Sequence, residues 1–192
     1  MRAARVTVAV VCATIAWLAG CGHGGDSTAT SGSTSTTTTH TTWTRPAAPP
    51  DPQTLLHAGS IALGAVPNGK LTVISSQETG SWRITVATPD GTNQSLEVSS
   101  DGKTLMVGPA PANQSDDDKA KTRARIQAAR VDYRAAAETI LATIAGASIS
   151  ELRLADGNGG PVWQAVAWDT LIVEHKVTID AVSGAVTANT QI

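Results

Sequence analysis

The chain has 192 residues, a formal net charge of −2, 41% hydrophobic residues and 16% charged residues. That length suits one domain, or two small ones, once non-folding segments are set aside; the near-neutral charge excludes a nucleic-acid binder, which needs a basic surplus against phosphates. Phe is absent and Tyr occurs once, so five Trp join Val, Ile and Leu as the large apolar side chains, and two Cys cannot staple a disulfide scaffold.

Arg2 and Arg5 precede the apolar run Val6–Trp17. A helix of that length spans only ~18 Å, against a hydrocarbon core of ~30 Å, so the run reads as the apolar part of a signal peptide at 1–20. Leu18-Ala19-Gly20-Cys21 follows and resembles the lipobox of bacterial lipoproteins. The resemblance implies cleavage before Cys21, acylation of its thiol, and a mature protein tethered by palmitate-type chains to the extracytoplasmic face of the cell membrane. Each buried acyl methylene contributes roughly 0.8 kcal/mol, so two or three chains hold where one does not. Cleavage also removes Cys12 and both arginines, taking the net charge from −2 to −4 and leaving no free thiol.

Residues 21–50 read as a disordered tether. Gly22–Thr44 is dominated by Gly, Ser and Thr, and Pro46, Pro49, Pro50 and Pro52 follow closely. Such a stretch buries too little apolar surface to offset chain entropy. Its first part is expected to be flexible and its second part polyproline-like. His23, His40 and Trp43 receive no role.

From Asp51 onward the pattern changes. Asp51-Pro52 is a helix cap with proline at the first helical position, and Leu55, Leu56, Gly59, Ala62 and Val66 give a helical apolar spacing, stopped by Pro67-Asn68-Gly69. Strands are expected over Lys70–Gln77, with Leu71 and Val73 on one face, from Trp82 to Val86, and around Leu96 and Val98. Thr104–Val107 reads as a short closing strand. The second half follows the same order: a helix ending near Gly146, then strands with Leu152 and Leu154 inward, then Val162–Trp168 and Glu174–Asp180, with Ala185–Ala188 after the turn. Trp82 and Trp163 occupy matching positions, as do Leu96 and Val177.

These segments resemble the PepSY domain. The second half carries the likeness in Gly160-Pro161-Val162-Trp163 and Val177-Thr178-Ile179-Asp180-Ala181-Val182-Ser183-Gly184; the first half carries it in Gly80-Ser81-Trp82 and Leu96-Glu97-Val98 with Asp101-Gly102. The resemblance implies protein or peptide binding, with peptidase inhibition among the proposed roles, and no catalytic residue. The expected fold is α+β: two tandem units, 51–110 and 115–192, each one helix on a three-stranded antiparallel meander.

Ser115-Asp116-Asp117-Asp118 is a strong helix start, and a helix running to Ala145 would be about 45 Å long. One stripe of it holds Ile126, Ala129, Tyr133, Ala136, Ile140 and Ile144, and this continuity predicts packing on the first half. Lys119, Arg123, Arg130 and Arg134 form a second row: a candidate contact for acidic lipid or partner, or a solvated margin of the core.

No phosphate loop, paired-Cys motif or His-Glu-x-x-His stretch occurs, so neither metal nor cofactor is expected, and an enzyme is the least favoured class. His57 and His175 read as structural. Trp82 and Trp163 read as core anchors. Trp168 falls outside the repeat pattern and is followed by Leu171-Ile172-Val173, so Trp168, Leu171 and Ile172 are the candidate partner contacts. The expected function is a lipid-anchored, non-enzymatic binding module for an envelope protein or peptide, with a peptidase as one candidate. The alternative is a carrier or sensor of a small apolar ligand, held between helix and sheet.

Overall fold

A computed structural model describes residues 50–192. The signal peptide, Cys21 and most of the tether lie outside the described residues. Helix α1 spans Pro52–Ala65; the Asp51 side chain accepts from the Gln53 amide at 2.9 Å, as the cap pattern predicts. Four strands follow: β1 Lys70–Ser76, β2 Trp82–Ala87, β3 Asn93–Val98 and β4 Leu105–Pro111. Then come α2 Asp116–Ala128, α3 Tyr133–Thr143, β5 Ser148–Gly157, β6 Gly160–Trp168, β7 Glu174–Asp180 and β8 Val186–Gln191.

The expectation of two separate helix-on-three-strand units is wrong. The strands form one antiparallel eight-stranded sheet in the order β4-β3-β2-β1-β5-β6-β7-β8. The join is the β1–β5 pair, where Ile74 faces Leu152 and Val73 faces Arg153. Both Ile74 and Leu152 are fully buried. As edges of separate units, β1 and β5 would each leave a row of backbone groups unpaired; paired with one another they close that row at the centre of the sheet. The closing strands β4 and β8 extend each half to four strands and form the outer edges.

The helices cover one face of this sheet. Ile84, Val86, Leu96, Trp163, Ala165, Val177 and Ile179 are buried there beneath Leu55, Ala62, Ile140 and Ile144. Arg83, Arg153, Gln164 and Lys176 stand exposed on the other face, the usual division of an antiparallel sheet. Two bulges defeat simple alternation. A register shift between Leu71 and Val73 turns Val73 to the open face and Ile74 inward, and one between Ile149 and Glu151 buries Ile149 along with Leu152.

The long second helix is two helices. Ala129 leaves helical geometry at φ −70°, ψ 125°, and Asp132 starts α3 by accepting the Ala135 amide at 2.9 Å. The intervening amides of Arg130 and Val131 both donate to the Ala181 carbonyl, at 2.9 and 2.8 Å. The break is therefore pinned to the turn after β7. All six residues of the predicted apolar stripe are still buried, because the bend follows the sheet.

The stripe reaches the first half as its continuity predicts. The Tyr133 hydroxyl donates to the Leu56 carbonyl at 3.1 Å, and Lys70 Nζ donates to the Ile126 carbonyl at 2.7 Å, satisfying a terminal carbonyl of α2. Trp82 and Trp163 are buried as expected; the Trp163 indole donates to the Val131 carbonyl at 2.8 Å.

Candidate functional site

Among the described residues, the β6–β7 connection carries the most exposed large apolar side chain, Leu171. Asp169 organises it. Its Oδ1 accepts the amides of Leu171 at 2.8 Å and Val173 at 2.9 Å, its own amide donates to the Val173 carbonyl at 3.1 Å, and its carbonyl accepts the Ile172 amide at 3.0 Å. These bonds, led by the Val173 amide and joined by His175, hold the Asp169 carboxyl below the usual carboxylate range. The carboxylate is thus a fixed acceptor at neutral pH.

The loop projects Leu171 at 81% exposure and Ile172 at 44%. Ile172 has φ +62°, a left-handed conformation that a β-branched residue rarely adopts. Such strain persists only where neighbouring contacts impose it. Here the Asp169 bonds on either side impose it.

Beneath the loop, His175 is buried. Its Nδ1 lies 3.1 Å from Asn189 Oδ1 and its Nε2 lies 3.4 Å from Asp169 Oδ2. The structural reading of His175 fits this geometry, with a carboxylate neighbour that sequence reasoning missed. The signal was present: Asp169 precedes a short loop and His175 sits just past its far end. His57 is exposed on α1.

The other predicted contact residues are placed differently. Trp168 is half-buried on the open sheet face, its indole donating to Ser150 Oγ of β5 at 3.2 Å, so it is tied to the sheet rather than projecting with Leu171. The basic row does not form one helical stripe. Lys119 and Arg123 lie on α2, Arg130 lies in the break, and Arg134 lies on α3 with its guanidinium 5.8 Å from the Tyr133 ring centroid. Lys119 is half-buried and the other three are exposed. Arg125, outside the row, meets Asp156 through two hydrogen bonds of 2.8 and 2.6 Å.

An apolar cavity of ≈ 210 Å³ lies at the helix break, walled by Leu63, Leu71, Leu154 and Trp163, with Lys70 and Arg130 also lining it. A shallower depression of ≈ 370 Å³ on the open sheet face is lined by Glu151, Arg153, Gln164, Lys176 and Thr178. Among the described residues, no helix is long and apolar enough to cross a membrane.

No family model matches the chain, and no curated protein matches it. Among solved structures, the crystal structure of a candidate lipoprotein from Clostridium difficile 630 is similar over 69% of this chain and 89% of that chain, at 12% identity and a TM-score of 0.45. A likeness at that level carries no argument about what this chain does.

Proposed function

We propose that the protein is a lipid-anchored, non-enzymatic module of the extracytoplasmic membrane face that binds a protein or peptide through the Asp169–Val173 loop. The supporting observation is the pairing of Leu171, four-fifths exposed, with a hydrogen-bonded and strained backbone that fixes its position. An exposed apolar side chain on a fixed loop loses little entropy when it enters a partner's pocket. A peptidase is one candidate partner, with occlusion by the loop as the means of regulation. The lipobox-like Leu18–Cys21 supports the anchor and the compartment. The alternative, carriage of a small apolar ligand, is less well supported: the ≈ 210 Å³ cavity is below the range of roughly 300–1,000 Å³ that ligand sites occupy.

The test is a comparative pulldown from detergent-solubilised membranes with the full chain and its Leu171→Asp variant. The proposal expects a protein enriched by the unmodified chain and lost, at least tenfold, with the variant. Equal recovery with both would overturn it.

A further inference from the structure

The two edges of the sheet are built differently. Edge strand β4 carries Pro109 and Pro111, which have no N–H to offer, and its pairing with β3 is interrupted by two register shifts. Those are devices that keep another strand from adding on. Edge strand β8, Val186–Gln191, contains neither proline nor a charged residue, and every residue in it is exposed. Its one register shift lies at the Val186 end, leaving 188–192 regular.

The orientation of this regular stretch follows from one bond. The Ile192 amide donates to the Glu174 carbonyl at 3.0 Å, so Ile192 faces β7. In an antiparallel ladder the backbone groups alternate inward and outward, so the N–H and C=O of Asn189 and Gln191 point away from the sheet. Ala188 and Ile192, the latter 65% exposed, share the face of this stretch that lies away from the helices.

We infer that β8 is the interface of a two-fold dimer, with a second copy of this chain as the occupant of the edge. Antiparallel pairing centred on Thr190 sets Asn189 opposite Gln191 of the second copy, twice. Both have outward-facing backbone groups, so each pair closes reciprocal main-chain hydrogen bonds. The same register sets Ala188 opposite Ile192, so that these two apolar side chains meet on the open face of the sheet on either side of the two-fold axis. No charge on β8 opposes the approach. The edge is thus self-complementary: it is uncharged, its outward Asn189 and Gln191 backbone groups pair with each other, and the Ala188–Ile192 contact repeats on both sides of the axis, as an isologous interface requires. It lies apart from the Leu171 contact and does not depend on it.

The test is the mass of the full chain in excess detergent micelles, by light scattering with the detergent contribution subtracted. The unmodified chain is expected at twice the mass of one chain. Thr190→Lys and Thr190→Glu each place like charges against one another at the two-fold axis, so each alone is expected at one chain's mass. An equal mixture of the two restores the doubled mass, which shows that both variants are folded. Gln191→Pro removes an outward N–H without touching the β7 ladder and is expected at one chain's mass. A single-chain mass for the unmodified protein would overturn the inference. So would a doubled mass that persists in Thr190→Lys and Gln191→Pro, which would place self-association at the acyl chains or elsewhere, or a Lys and Glu mixture that stays at single-chain mass.

Discussion

Asp169 fixes the backbone that carries Leu171: one carboxylate oxygen accepts both the Leu171 and the Val173 amides, at 2.8 and 2.9 Å. The exposed leucine is therefore held out from the sheet by a side chain two residues earlier. Asp169→Ala keeps Leu171 but frees the loop. Its expected outcome is faster hydrogen exchange at the amides of Leu171 and Val173, and weaker partner capture, with β6 and β7 still protected. Unchanged exchange at those two amides would show that the carboxylate does not govern the loop.

Ile172 gives a second test, because strain and contact act in opposite directions there. Its φ of +62° suits Asn far better than a β-branched residue. Ile172→Asn is expected to raise stability by about 1 kcal/mol, since left-handed geometry costs an L-residue roughly 1–2 kcal/mol. It also removes apolar surface from the loop and is expected to weaken partner capture. Thermal unfolding and pulldown on the same sample read both effects; a fall in stability would mean that the contacts of the Ile172 side chain outweigh its strain.

Gly59 and Tyr133 test how the halves are joined. A Cβ on Gly59 would lie 2.4 Å from Tyr133 Cε2, and the ring is tied by its hydroxyl to the Leu56 carbonyl. Overpacking of this kind costs about 1–3 kcal/mol, and the helix preference of Ala over Gly returns up to ~1. Gly59→Ala is expected to destabilise by about 1–2 kcal/mol in denaturant unfolding. Gly64, on the same helix with open space around its Cβ position, is the control: Gly64→Ala is expected to stabilise.

Acid sensitivity follows from the turn aspartates. Asp90, held by the hydroxyls of Thr88 and Thr92, has its pKa lowered from 3.8 to about 2. Asp101, Asp156, Asp169 and Asp180 are lowered as well, by hydrogen bonds from Ser99, Arg125, the Val173 amide and Ser183 respectively. A carboxylate whose folded value lies below its unfolded one contributes stability above the unfolded value and loses it as pH falls through the folded value. The melting temperature is therefore expected to hold from about pH 7 to about pH 5 and to drop between about pH 4 and pH 2. A melting temperature that rises over that acid interval would contradict the assignment.

The sequence carried local structure well and assembly poorly. The Asp51 cap, the core positions of Trp82 and Trp163, and the burial of the stripe from Ile126 to Ile144 all follow from spacing. The β1–β5 junction does not, because pairing between strands some 80 residues apart leaves no periodic trace in either. The helix break was legible only in part: Asp132 is a good cap, yet Ala129 and Tyr133 continue the apolar spacing across it, and the Ala181 carbonyl that takes the two freed amides lies about 50 residues on. Bulges at Leu71–Val73 and Ile149–Glu151 shift the inward face without a glycine to announce them. At the candidate site, Leu171 and Ile172 stood out as an apolar run beside Trp168. The roles of Asp169 and His175 needed the hairpin to be closed before their proximity could be seen.

The central claim is contact through Leu171, and site-specific photo-crosslinking reads it most directly. A photoreactive residue is placed at position 171 of the full chain in its producing cell, with one at exposed position 117 on α2 as the comparison. The account predicts a discrete adduct with a different protein at position 171 and none at position 117. Absence of any adduct at position 171, or the same adducts at both positions, would contradict it.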